Sequence, residues 1–380
     1  MWEIRRNDFV PKLQDLEVIP EKLGIPSSEY FWIRGKGNKI RMSLSSYISG
    51  EVTIVGKGKW PSKHDLYIDR RILLPFVFAA RELKDKHTFQ FTMDGKSLIL
   101  QHGSRKVVLD SQEKVSGYGN LKKILKEEGT ILPATEELKE LLLCGRNCAV
   151  SDSVVPHLNC CYVTSSKSGT GMQAYAASDK VFYFGIGEVE DKINSSTPFP
   201  LFLINLLSLP RLRRIKWIGK YVVMTFKGGA RIWQPISTEA LTEFPLRKIK
   251  RHVRKSDELP VTFTTSSRRF SRLMVRLGYY LQSVRRKDWV VRINGKKGNT
   301  YLRLKTSIPG VRIFEKISTT ERLKKTFEME WPLDILEPIF DFLSKKTKKL
   351  GVIVRMDDKH GVSYIRTGQY WLAVPGRQDK

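Results

Sequence analysis

The chain has 380 residues, 67 Lys and Arg against 39 Asp and Glu, a net charge of +28, and 41% hydrophobic and 10% aromatic content. That much apolar material supplies buried cores and excludes an intrinsically disordered chain, and every uncharged apolar run is shorter than the roughly 18 residues a membrane span needs. Four cysteines exclude a disulfide framework, and the start, Met1-Trp2-Glu3-Ile4-Arg5-Arg6, turns charged too early for a secretory leader, so a cytoplasmic protein is expected.

Residues 2–5 predict a strand and residues 7–16 a short helix, with Asn7 placed to cap it. Residues 30–34, 40–44 and 52–55 have the β-branched and aromatic content of strands. The segments Gly35-Lys36-Gly37-Asn38 and Gly56-Lys57-Gly58-Lys59 lack the spacing of a Walker A loop and predict hairpin turns. Residues 88–93 and 97–101 flank Asp94-Gly95, a strong hairpin signal. Glu127-Glu128-Gly129 predicts a short linker, after which Thr135 is positioned to cap a helix running to Leu142. Strands are expected at 158–164, 172–177 and 181–186, and a second polar linker at Lys255-Ser256-Asp257-Glu258. The most legible helix spans residues 266–281, where Phe270, Leu273, Met274, Leu277 and Leu281 recur at i, i+3, i+4, i+7 and i+11. Arg268, Arg269, Arg272 and Arg276 lie mainly on its other side.

One phrase occurs three times: Leu74-Pro75-Phe76-Val77-Phe78, Phe199-Pro200-Leu201-Phe202-Leu203 and Trp331-Pro332-Leu333-Asp334-Ile335, spaced by 125 and 132 residues. A period this long marks repeated domains, not solenoid units. Proline fits the first turn of a helix, where its missing N–H has no partner to lose, so each copy predicts a helix start. The chain then divides at 1–129, 130–256 and 257–380, each part reading as strand, helix, several strands, proline-led helix and further strands. Basic residues exceed acidic ones in every part, 23 against 16, 18 against 10 and 26 against 13, so the charge is not one basic tail. Such a field concentrates polyanions, and nucleic acid is the expected one because each neutralised phosphate releases counterions. A solubilising surface without a ligand is the alternative.

Several segments resemble the middle domain of bacterial DNA sliding clamps, the β subunit of the replicative DNA polymerase III: Gly119-Asn120-Leu121, Leu138-Lys139-Glu140-Leu141-Leu142, Val150-Ser151-Asp152, Leu158-Asn159-Cys160, Ala176-Ala177-Ser178-Asp179 and Pro200-Leu201-Phe202. Ser363-Tyr364 through Gln369-Tyr370-Trp371-Leu372-Ala373-Val374-Pro375 is similar to that family's final strand and tail. The resemblance implies an α+β fold of three tandem DNA-clamp domains, each with two helices on the inside and antiparallel sheets on the outside. It further implies a homodimer ring closed head to tail around double-stranded DNA. Such a processivity factor in DNA replication is no enzyme and needs no cofactor, and it tethers DNA polymerase, clamp loader or other partners through a peptide groove. Typical bacterial clamps are acidic outside with a basic channel, so +28 is a departure. A non-encircling basic DNA-binding or recruitment factor on the same fold, of a phage or mobile element, stays open, and either would act at the nucleoid in the cytoplasm.

On the helices that the resemblance turns toward DNA, the cations are Arg81, Lys84 and Lys86 in the first part and Lys139, Arg146, Arg211, Arg213 and Arg214 in the second. In the third they are Arg268, Arg269, Arg272, Arg276, Lys345, Lys346, Lys348 and Lys349. Any one of them is as readily a solvated face or a helix C-terminal partner. The family's groove between second and third domains maps to Leu158, Ser178, Asp179, Lys180, Val181, Pro245, Ile249, Leu372, Val374 and Pro375, with core packing the competing reading. Here Lys180-Val181-Phe182 replaces the usual Gly-His-Arg, and Gly376 stands where a larger apolar residue is expected. Ring closure maps to Val107 and Leu109 against Leu277, Tyr280 and Leu281, two of which, Leu277 and Leu281, suit an intradomain core equally well.

Cys144 and Cys148 at i, i+4 with Cys160-Cys161 downstream do not match zinc-ligand spacing, so burial is expected. The histidines are scattered, and no nucleophile elbow, Walker motif or carboxylate cluster stands out, which argues against a nuclease or ATPase.

Overall fold

The computed structural model describes residues 1–17, 29–45, 48–79, 88–113, 128–149, 155–165, 171–188, 196–209, 211–280, 290–308, 311–346 and 351–375. In chain order its elements are β1 (Trp2–Arg5), α1 (Arg6–Glu17), β2 (Tyr30–Lys36), β3 (Lys39–Ser45), β4 (Ser49–Val55), β5 (Lys57–Gly58), β6 (Leu66–Asp69), α2 (Arg70–Ala79), β7 (Thr88–Asp94), β8 (Ser97–His102) and β9 (Arg105–Asp110). There follow β10 (Thr130–Pro133), α3 (Glu136–Arg146), β11 (Cys160–Ser165), β12 (Met172–Ala177), β13 (Phe182–Gly187), β14 (Thr197–Pro200), α4 (Leu201–Asn205), β15 (Leu212–Ile218), β16 (Tyr221–Phe226), β17 (Arg231–Pro235), α5 (Thr238–Thr242) and α6 (Leu246–Glu258). The last stretch is β18 (Val261–Ser266), α7 (Ser267–Tyr280), β19 (Val290–Gly295), β20 (Tyr301–Ile308), β21 (Val311–Ser318), β22 (Phe327–Pro332), α8 (Leu333–Lys346), β23 (Gly351–Asp357), β24 (Val362–Thr367) and β25 (Tyr370–Pro375). Strand, helix, four strands, helix and three strands recur three times, with β5 an addition to the first round and α5 and α6 to the second.

These elements form two compact units, one of Met1–Ala134 and Leu206–Ile236, the other of Thr135–Asn205 and Ser237–Lys380. The first holds a five-stranded sheet, β5-β1-β7-β8-β9, and an eight-stranded one, β10-β15-β16-β17-β4-β3-β2-β6. Both are antiparallel. Its core places Phe9 of α1 edge-on to Phe89 and Phe91 at 5.3 and 5.6 Å, beside Trp2 and Trp60. The chain passes directly from β1 into α1 at Arg6, so Asn7 lies within the helix and is not its cap. The two glycine-rich segments differ. Gly37 takes φ 60° in the β2–β3 hairpin, whereas Lys57 and Gly58 form a strand beside β1 instead of the expected turn. A Cβ on Gly56 would fall 2.4 Å from the Trp2 ring, which is why the chain there needs glycine.

The second unit holds the eight-stranded sheet β14-β11-β12-β13-β25-β24-β23-β18 and the four-stranded sheet β21-β20-β19-β22. The strands between residues 130 and 256 are therefore shared out: β17 pairs with β4 in the first unit and β13 with β25 in the second, so each half-sheet finds a ladder partner for its edge. Thr135 caps α3 through its side chain, accepting from Leu138 N–H at 3.3 Å. Phe270, Leu273, Met274 and Leu277 of α7 are buried as the periodicity requires, with Phe270 against Phe340 of α8 at 4.7 Å. Pro200 and Pro332 each end a strand immediately before a helix, but Pro75 is the sixth residue of α2. There the Asp69 carboxylate accepts Arg71 N–H at 2.8 Å and starts the helix a turn early. The segment 255–258 is no linker: it is the last turn of α6, fixed where Trp371 Nε1 donates to Ser256 Oγ at 2.8 Å.

Candidate nucleic-acid and peptide interfaces

Helix α7 buries one side against α8, which leaves Arg268, Arg269 and Arg272 exposed and without a carboxylate partner among the described residues. Arg276 on the same stripe is different, since its guanidinium donates to both oxygens of Glu315 at 2.9 and 3.0 Å. Three cations one helical turn or less apart, on a rigid element, suit contact with a phosphate backbone without base reading.

Other expected cations are already engaged. Arg211 donates to Pro11 O at 2.7 Å and lies 3.2 Å from Asp15, so it ties down α1. Asp15 itself is buried, and that burial raises its carboxyl to about 6 despite Arg211. Lys139 has a side chain only 16% exposed and donates to Glu136 at 2.7 Å. Arg146 is exposed, but it opens on a cavity of about 400 Å³ shared with Glu337 and Asp341. Arg213 and Arg214 are exposed on β15, at a bulge. On α1 and α2, Arg6, Lys12, Arg70 and Arg71 all have partners within the chain. Arg81, Lys84, Lys86, Lys348 and Lys349 lie outside the described residues, as do the side chains of Lys345 and Lys346 at the end of α8.

The sequence reading missed α6. Leu246, Ile249 and Val253 pack inward while Arg247, Lys248, Lys250, Arg251 and Arg254 are exposed, a cationic face on a 13-residue helix. Lys248 Nζ sits 5.1 Å from the Phe182 ring centroid. Neighbouring cations and burial hold the His252 imidazole below its ordinary value, burial being the larger cause, and its Nδ1 is 3.0 Å from Tyr364 Oη. The signal was present as an i, i+3, i+7 apolar row in a dense run of charge.

Groove positions separate into two sets. Leu158 and Ile249 meet in one apolar cluster with Trp371 and Ala373, and around it Leu158, Tyr162, Phe182, Leu246 and Val253 stay partly accessible. Pro245 is the half-buried N-cap residue of α6. Leu372 and Val374 are buried and alternate with Trp371 and Ala373 along β25, so they face the other side of the sheet from Ile249. Val181 is buried as well. Ser178 builds the turn itself, its hydroxyl accepting Lys180 and Val181 N–H at 3.2 and 3.0 Å, while Lys180 Nζ reaches Asp334 at 2.7 Å. Asp179 and Pro375 are exposed.

Of the ring-closure positions, Leu109 and Leu277 are core and Val107 is half-buried, whereas Val108 on the opposite face of β9 is 54% exposed. The Tyr280 side chain and Leu281 lie outside the described residues. The strands β9 and β21 each end a sheet and, among the described residues, have no pairing partner on their outer edge. All four cysteines are buried, which pushes the Cys160 thiol up to about 12 and the other three upward as well.

The architecture just described is the DNA-clamp fold, α+β with antiparallel sheets, over the whole chain. It matches the DNA polymerase III β subunit of Pseudomonas aeruginosa with a TM-score of 0.77 at 11% identity, and the polymerase sliding clamp of Caulobacter crescentus with 0.78 at 14%, each comparison covering 99% of both chains. A Pseudomonas aeruginosa sliding clamp bound to griselimycin matches with a TM-score of 0.73 at 11% identity, again over 99% of both chains. No family model matches the sequence, and no curated protein matches it. At this identity the likeness is one of fold. Among the described residues, no helix is long and apolar enough to cross a membrane.

Proposed function

We propose that the protein is a DNA sliding clamp: three tandem clamp domains at 1–129, 130–256 and 257–380, two chains closing head to tail around duplex DNA. It is a binding protein without chemistry of its own, acting at the nucleoid and tethering a polymerase or another DNA-processing partner. The observation that carries the reading is that sliding-clamp folds cover 99% of both chains, so the likeness takes in all three repeats. The outer edges of β9 and β21, unpaired among the described residues, support closure, because antiparallel pairing across two copies would satisfy both sets of backbone groups. Arg268, Arg269 and Arg272 supply phosphate contacts that hold DNA without choosing its sequence. The partner peptide rests on the accessible apolar strip of Leu158, Tyr162, Pro245 and Leu246, with the cations of α6 alongside.

Light scattering tests closure, with a mass near twice 43.8 kDa expected for the dimer. Retention on closed circular DNA and release after linearisation is the expected topological signature. The charge of +28 favours one competing reading, a monomer that holds DNA by electrostatics alone. Monomeric mass with equal retention on circular and linear DNA would establish that reading instead.

A further inference from the structure

The hairpin β20–β21 has two dissimilar faces. Leu302, Leu304, Thr306 and Ile317 are buried, and Glu315 on their side holds Arg276 of α7. The face turned away from α7 carries Tyr301, Arg303 and Lys305 on one strand and Arg312, Phe314 and Lys316 on the other. Phe314 is 69% exposed, more than any other large apolar side chain among the described residues. Lys305 Nζ lies 5.9 Å from its centroid, and Lys316 Nζ and Arg303 Cζ lie 5.2 and 5.9 Å from that of Tyr301. The ladder sets Arg303 directly opposite Lys316, a like-charge pair that costs stability. None of these four cations has a carboxylate partner among the described residues, while Glu328 and Glu330 of the same sheet are taken by Arg292.

We propose that this face of β20–β21 is a binding site for single-stranded DNA. Rings that can each stack a base, spaced roughly 13 Å along the strands at 3.3 Å per residue and interleaved with unpaired cations, are what an unpaired strand needs and a duplex cannot use, because its bases are covered. The repulsion between Arg303 and Lys316 is relieved when phosphates lie between them. Single-stranded DNA is the occupant, not RNA, because the proposed function places the chain on DNA, and on that one point the inference rests on that reading. The site lies on the opposite side of the sheet from α7 and does not depend on ring closure.

Fluorescence anisotropy on the full-length protein tests it with three probes: labelled oligo(dT), oligo(U) of equal length, and a duplex. Phe314→Ala should weaken oligo(dT) binding by about 5- to 20-fold and leave duplex affinity within about twofold, with Phe314→Tyr retaining wild-type affinity. Phe314 is exposed, so neither variant threatens folding. Equal oligo(dT) affinity for wild type and Phe314→Ala overturns the proposal, as does tighter binding of oligo(U). Displacement of oligo(dT) by polyglutamate with the same Phe314 dependence would assign the face to an acidic peptide and overturn it too. Loss of duplex binding by the wild type would count against the clamp reading and leave the oligo(dT) comparison intact.

Discussion

Replacing Arg268, Arg269 and Arg272 together with Ala should lower the salt dependence of duplex binding by an amount that the structure sets in advance. Each phosphate neutralised contributes about 0.9 to the slope of log K against log salt. With all three guanidinium groups exposed and without a carboxylate partner among the described residues, the slope should fall by about 2 to 3 per chain. Arg276 sits on the same stripe but is already neutralised by Glu315 at 2.9 Å, so Arg276→Ala alone should change the slope by less than about 0.5. The assay is a titration of labelled duplex at salt concentrations from about 0.05 to 0.2 M, a range over which multiple phosphate contacts change affinity by orders of magnitude. A triple variant with an undiminished slope, or an Arg276 variant that loses as much as the triple one, would refute the assignment of free and spent cations. Exposure on α7 would then have been mistaken for DNA contact.

Asp15 has a folded value near 6 against an ordinary 3.8, so the native state binds its proton more tightly than the unfolded chain does. Its stabilising contribution is complete below about pH 4 and lost as pH rises to about 6, costing about 1 to 2 kcal/mol at neutral pH once solvent screening is allowed for. Asp15→Asn should therefore narrow the decline in urea midpoint across that window relative to wild type, and an identical pH profile for both would contradict the assignment. Gly145→Ala puts a Cβ 2.9 Å from Cys161 Sγ and 3.0 Å from the Tyr183 ring, so despite the helix-propensity gain it should lose about 1 to 2 kcal/mol by urea unfolding. Trp371→Phe removes the buried donor to Ser256 and should cost about 1 kcal/mol by the same measurement, with α6 the first element to lose amide-exchange protection.

Much of the fold was legible because its signals are local. The strand at Trp2–Arg5 and the buried side of α7 follow from alternation and from the 3.6-residue period, which any short window displays. The last turn of α6 was mistaken for a linker because polar residues look alike whether they end a helix or join two elements. That Leu372 and Val374 lie on the side of β25 away from Ile249 was illegible for a related reason, since alternation tells which residues share a side of a strand but not which side meets α6.

Composition alone determined that this chain carries a strong positive field in every third, because charge is a sum over residues and does not depend on how they are arranged. Only the tertiary structure decided which cations remain available. Arg211 is consumed by a carbonyl 200 residues away and Arg276 by a carboxylate on a strand of the neighbouring sheet, while Arg268, Arg269 and Arg272, a few positions along the same helix as Arg276, are exposed and have no carboxylate partner among the described residues. Ion pairs and burial are set by neighbours in space, and the chain brings those neighbours together only when it folds.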